Sequence, residues 1–187
     1  MLIEDVIPEQ IVDEYRTFQR HNPASDIALG NRLKSQLKTV DTPLSQFRVR
    51  YRQARESVGT YHDYFLYDIK TDQCVGLFSI EEPSGGVQVV RNFPVLKPGI
   101  KVVTPHMSLA KSARRQGVST QAYTTFLRGG PWVFVTWQHS EAAKQLWDSL
   151  EGGDIVSVYA RPGESKPTNK MQGDTYRLLG PRSRFKL

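Results

Sequence analysis

One stretch limits the fold of this chain more than any other: Met107 to Ser119, MSLAKSARRQGVS. An apolar strand-like run ends there in a basic turn containing glycine, and helical spacing begins at once. Upstream of it, Phe47-Arg48-Val49-Arg50-Tyr51-Arg52 alternates with period two, the signature of a half-buried strand. Further strands are read at Tyr61 to Ile69, Cys74 to Ile80, Val87 to Phe93 and Lys101 to Ala110. Gly59, Thr71-Asp72 and Pro83 to Gly86 mark turns between them, and Pro94 to Gly99 a loop. Downstream, helix and strand alternate: Ser119 to Leu127, Trp132 to Thr136, Ser140 to Leu150, Ile155 to Ala160 and Thr175 to Leu179. A strand meander followed by such a tail predicts an α+β (mixed α/β) domain, with a mostly antiparallel mixed sheet of about seven strands flanked by helices.

Two helices precede the meander. Ile11, Val12, Tyr15 and Phe18 have helical spacing between Pro8 and Arg20. A second helix, capped by Ser25 or Asp26, carries Ile27, Leu29, Leu33 and Leu37 towards Val40, with Gly30 its one weak residue. Asp41 to Ser45 and Arg161 to Gln172 read as polar loops. The 187 residues suffice for a single domain with its own core. Within it, 1–45 are N-terminal helices, 46–180 the sheet and binding core, and 181–187 a basic tail expected to be mobile.

The hydrophobic share is 39% and the charged share 24%, as in ordinary globular proteins. No apolar run approaches the roughly 20 residues of a membrane span. The N-terminus, MLIEDVIPEQ, is acidic and interrupted by proline, unlike a secretory signal, so the expected location is cytoplasmic. Cys74 is the sole cysteine, which rules out an intrachain disulfide and a thiolate metal cluster; its apolar neighbours place it in a buried strand. No grouping of residues suggests a metal site. A net charge of +6 favours an anionic partner, whether nucleotide, nucleic acid or acidic protein, and is equally compatible with a solvated basic face.

The turn itself suits a polyphosphate. Arg114, Arg115 and Gly117, followed by a helix opening at Val118 or Ser119, present backbone N–H groups and the positive helix end to an anion. Arg114, Gly117 and Ser119 fit the spacing Arg-x-x-Gly-x-small. This resembles motif A of the GNAT superfamily of N-acetyltransferases. The resemblance extends over about Tyr61 to Leu179. A second family motif, Asn-x-x-Ala-x-x-Leu-Tyr after a strand, is matched in spacing by Ser140, Ala143, Leu146 and Trp147 after Trp132 to Thr136.

The resemblance implies acetyl-CoA as cosubstrate and direct acetyl transfer to a primary amine, with no metal. It places the pantetheine arm along Ser108, Leu109, Ala110 and Lys111, and the pyrophosphate at Arg114, Arg115, Gln116, Gly117, Val118 and Ser119, with Ser140 and Trp147 completing the cofactor side. Trp147 stands where many members carry the tyrosine that protonates the departing thiolate, and an indole cannot do so near neutral pH. Tyr123, Tyr159 and Tyr176 are alternative donors, and packing of a helix on the sheet is the other reading of Trp147. For the base, His106 and Glu81 are candidates, with Glu82, His62 and Asp63 behind them. Strand parity turns His106 away from the face of Val103 and Pro105.

Arg48, Arg50 and Arg52, extended by Arg55, form a stripe that can meet nucleic-acid phosphates or an acidic peptide, with Phe47 and Tyr51 facing the core. The amine acceptor can accordingly be a protein or an RNA. Trp132 and Trp137 are candidates for a contact in a homo-oligomer. Two rivals stand beside the enzyme: a catalytically silent relative of the same fold serving binding or assembly, for example phage-encoded, and a nucleic-acid-binding protein.

Overall fold

The computed structural model describes residues 22–56, 59–83, 92–136, 141–170 and 173–187. Their order is α1 (Pro23–Leu33), β1 (Lys38–Val40), β2 (Phe47–Glu56), β3 (Gly59–Asp68), β4 (Cys74–Pro83), β5 (Lys101–Leu109), α2 (Val118–Gly129), β6 (Trp132–Thr136), α3 (Glu141–Leu150), β7 (Ile155–Ala160) and β8 (Tyr176–Pro181). The class is α+β, with one open mixed sheet of eight strands in the order β1-β2-β3-β4-β5-β6-β8-β7. The β5–β6 ladder is parallel, whereas β1–β2, β2–β3, β3–β4, β6–β8 and β7–β8 are antiparallel. The chain forms two compact units: unit 1 from residues 1–88 and 106–118, and unit 2 from 89–105 and 119–187. The expected helix at Pro8 to Arg20 and the strand positions 87–91 lie outside the described residues.

Unit 1 is a meander with α1 on one face. The cap of α1 is Asn22, whose Oδ1 accepts from the amides of Ala24 (3.1 Å) and Ser25 (3.3 Å), with Pro23 supplying the fixed φ of a first helical position. The cap thus lies one turn before Ser25 and Asp26, the positions expected from the sequence, and Asp26 is instead buried and accepts from Ser108. The sequence also predicts a helix running to Val40. The α-helix stops at Leu33, a short 3-10 turn spans Lys34–Gln36, and Lys38–Val40 forms the edge strand β1, paired with Tyr51 to Val49 of β2. The apolar stripe misleads because Leu29, Leu33 and Leu37 all enter one cluster with Phe65, Tyr67, Cys74 and Leu77, whichever backbone carries them.

Gly30 is what lets α1 lie so close. A Cβ there would sit 2.7 Å from Phe65 Cδ1 and nearer still to Cys74 Sγ, and the Tyr67 hydroxyl donates to the Gly30 carbonyl (2.5 Å). Gly59, read as a turn, is instead the first residue of β3, opposite Glu56. The hairpin between β3 and β4 turns at Asp72, in left-handed backbone (φ 54°), with the Asp68 carboxylate accepting from the amides of Lys70 and Thr71.

Unit 2 packs Val133, Val135, Val158, Ala160 and Leu178 against Phe93, Val95, Leu96 and Phe185. The last of these corrects the expectation of a mobile basic tail. Phe185 is 3% exposed, the Lys186 amide donates to Val95 O (2.8 Å), and the Lys97 amide donates to Arg184 O (2.9 Å). Arg184 also donates to the carbonyl of Trp132. One aromatic side chain inserted in the core outweighs the charge of its neighbours.

Candidate functional site

The turn between β5 and α2 begins with a 3-10 segment, Lys111–Ala113, in which the amides of Ala113 and Arg114 donate to the carbonyls of Ala110 and Lys111. Two residues then take left-handed backbone, Arg115 at φ 61° and Gly117 at φ 71°. A non-glycine residue there is uncommon. Ala113 and Val118 are buried and anchor the ends, while Lys111, Ser112 and Arg114 to Gly117 are exposed. A Cβ on Gly117 would meet nothing within 4 Å, so its glycine answers to backbone angle and to what lies outside the turn.

The arginines differ. Arg114 folds back, its Nε–H donating to Leu109 O (3.1 Å), and closes the end of β5. Gln116 likewise donates to Ser112 O (2.7 Å). Among the exposed cations of the turn, Lys111 and Arg115 extend from it with charge to offer. Acidic residues are absent from the first turn of α2, which leaves the positive helix end unopposed locally.

The second feature is a polar row on the α1 side of the unit 1 sheet. Ser108 Oγ donates to the Asp26 carboxylate in α1, so alternation along β5 puts His106 on that same side. His106 is half-buried there. There His106 Nε2 lies 3.6 Å from Glu81 Oε2, with both side chains partly accessible. The distance suits an electrostatic pair or one with a bridging water, and it is too long for a direct hydrogen bond. The structure thus brings together the two base candidates, one from each of two strands.

Further along the row, Asp63 (0% exposed) accepts from Arg52 Nε (2.9 Å) and Nη2 (2.8 Å) on one oxygen and from Ser79 Oγ (2.7 Å) on the other. This pair decides the fate of the arginine stripe. Arg52 is buried, Arg50 donates to the carbonyl of Lys34 and lies over the Tyr67 ring, and Arg48 pairs with Asp72 (2.9 Å). Arg52 and Arg50 of the stripe are thus engaged within the protein, whereas the Arg48 side chain stays 45% exposed. Tyr51, expected in the core, is half-buried on the opposite face.

Asp26, Arg52, Asp63 and Ser79 were not read from the sequence as one row. Asp26 sits at an N-terminal position where acids are ordinary helix formers, and its partner Ser108 is 82 residues away. The one local cue was an apolar-spaced helix with an acid on its buried side.

In unit 2, Tyr123 is buried edge-on to Phe134, and burial pushes its phenol far above the usual range. Trp147 is buried beside Phe134 and beneath the Arg177 guanidinium, which is the packing reading of that residue. Tyr159 and Tyr176 are half-buried. Ser140 and Trp137 lie outside the described residues. Trp132 is half-buried and its indole N–H donates to Phe126 O (2.5 Å). The Cys74 thiol is buried and pushed up to about 12, so it stays neutral and unreactive. Among the described residues, no helix is long and apolar enough to cross a membrane, and no cluster of His, Cys, Asp or Glu has the make-up of a metal site. No protein-family model, no curated protein and no solved structure matches this chain.

Proposed function

We propose that the chain is an acetyl-CoA-dependent N-acetyltransferase of GNAT type that transfers acetyl directly to a primary amine. The observation that carries this reading is the turn from Ala110 to Val118, with its two left-handed residues, exposed basic side chains and direct entry into α2. Support also comes from the order of elements and from the parallel β5–β6 ladder, which covers Lys101 to Val103 while β5 runs on to Leu109.

On this reading, amides of the turn and the first residues of α2 hold the pyrophosphate, and Lys111 and Arg115 add charge. Main-chain groups of Ser108, Leu109 and Lys111 align the pantetheine arm, the Ala110 amide being given to Val75 O (2.8 Å). His106, with Glu81 behind it, takes the proton from the attacking ammonium, directly or through water. The turn is open at Gly117, where an added Cβ would meet nothing within 4 Å.

Titration with acetyl-CoA followed by thermal melting tests the proposal. A ligand held only by the folded state at a hundred times its Kd stabilises by about 2.7 kcal/mol, and Tm rises accordingly. Gly117→Glu, which adds bulk and negative charge at the turn, abolishes the rise. No rise in the parent at saturating acetyl-CoA refutes the proposal. A silent relative of the same fold is the second reading, favoured by the core packing of Trp147 and Tyr123. It predicts the Tm rise without thiol release from acetyl-CoA in the presence of lysine peptides or polyamines.

A further inference from the structure

The face of the unit 1 sheet opposite α1 carries a hydrogen-bonded chain of three titratable side chains that the proposed acetyl transfer does not use. Tyr51 in β2, His62 in β3 and Glu82 in β4 stand on three adjacent strands. The register pairs Gln53 with His62 and Thr60 with Glu82, so Tyr51 and Glu82 are diagonal neighbours of His62 on either side. Tyr51 Oη lies 3.0 Å from His62 Nδ1, and His62 Nε2 lies 2.6 Å from Glu82 Oε2. A carboxylate only accepts, so Nε2 must carry a hydrogen. In the neutral imidazole the Nδ1 lone pair is then left to accept from the Tyr51 hydroxyl. The carboxylate fixes the tautomer, the imidazole is aimed at the hydroxyl, and all three groups are part-exposed.

That is the arrangement of an activated nucleophile: a hydroxyl within reach of a base that a third group orients. We propose that Tyr51, His62 and Glu82 form a second reactive site, in which His62 serves as general base for the Tyr51 phenol towards activated aryl esters. The phenol is protonated at rest, since burial and the charges of Asp63 and Glu82 raise it, and attack therefore depends on the base. The Tyr64 ring, 5.0 Å from that of Tyr51, gives an aromatic leaving group a flat neighbour. In the step, Tyr51 Oη forms a bond to the ester carbonyl carbon and the bond from that carbon to the aryloxide oxygen breaks. The phenol proton passes to His62 Nδ1, and the product is an acyl ester on Tyr51 plus free phenoxide. No acetyl-CoA is involved, so the outcome is independent of the function proposed above.

The test is the reaction of the full chain with p-nitrophenyl acetate, followed by nitrophenoxide absorbance and by mass mapping of the adduct. The expected result is a burst of one equivalent, with the acetyl group on the Tyr51 peptide. Tyr51→Phe abolishes the burst, and His62→Gln slows it by about a hundredfold, the scale of a lost general base. Glu82→Gln slows it less and moves its dependence on pH, which a purely structural carboxylate would not do. Melting of each variant, together with acylation of lysines at the parental rate, shows that the fold is retained. Acetyl groups on lysines alone, absence of a burst, or a Tyr51 rate indifferent to His62→Gln in the folded variant each overturns the proposal.

Discussion

Removing the carboxylate of Asp63 tests the reasoning about unit 1 most severely. The Asp63→Ala change deletes an acceptor that is fully buried and takes two hydrogen bonds from Arg52 and one from Ser79. Arg52, itself only 7% exposed, then loses the carboxylate it is paired with. Breaking a buried pair in this way costs about 3–5 kcal/mol, because the remaining charge has lost both its hydration and its partner. With a urea m-value of about 2 kcal/mol/M, the unfolding midpoint falls by on the order of 2 M. The assay must report unit 1. All three tryptophans of the sequence lie beyond residue 118, so fluorescence follows unit 2, whereas hydrogen exchange of the β2 and β3 amides follows unit 1. The double variant Arg52→Met with Asp63→Leu is expected to recover most of the loss, since an apolar pair of similar volume needs no counter-charge. A cost for Asp63→Ala below about 1 kcal/mol, the value of an exposed pair, would refute the claim that Arg52 and Asp63 form a buried pair.

Gly30→Ala should destabilise unit 1. The gain of about 1 kcal/mol in helix propensity is offset by overpacking against Phe65 and Cys74 of about 1–3 kcal/mol; a variant more stable than the parent by hydrogen exchange would contradict the close approach. Phe185→Ala should lower the fluorescence-detected stability of unit 2 by about 3–5 kcal/mol, and an unchanged transition would mean the C-terminal segment is not docked. Cys74, raised by burial from 9.0 to about 12, contributes stability that is complete below the unfolded value and lost as pH rises through the folded one. Its thiol should react with a disulfide reagent at about pH 8 only as fast as the protein opens. Rapid stoichiometric reaction of the native protein would show it exposed.

The elements whose periodicity is local were legible. Strand positions from Phe47 to Ile80 and the helices and strands after Val118 emerge close to their expected bounds, because alternation and helical spacing arise from backbone geometry a few residues long. The basic glycine turn was legible too, and its left-handed residues fall within the segment that suggested it. Where the reading failed, a long-range partner had overridden a local preference. Leu37 continues a helical stripe, yet the pairing of Lys38–Val40 with β2 ends the helix. Arg182 to Leu187 has the composition of a loose tail, yet Phe185 finds a core.

What the sequence determined on its own was therefore the strands from Phe47 to Ile80, the elements after Val118, the turn, and the presence of His106 and Glu81 in neighbouring strands. What only the tertiary structure decided was which charges are available. Whether Arg52 meets solvent or Asp63, whether Asp26 caps a helix or holds Ser108, and whether His62 links Tyr51 to Glu82 all depend on strand register and on where α1 lies. Electrostatic pairing acts through space over a few ångströms, and the partners here are 11 to 82 residues apart along the chain. A period can be read locally, but a counter-ion at that separation cannot.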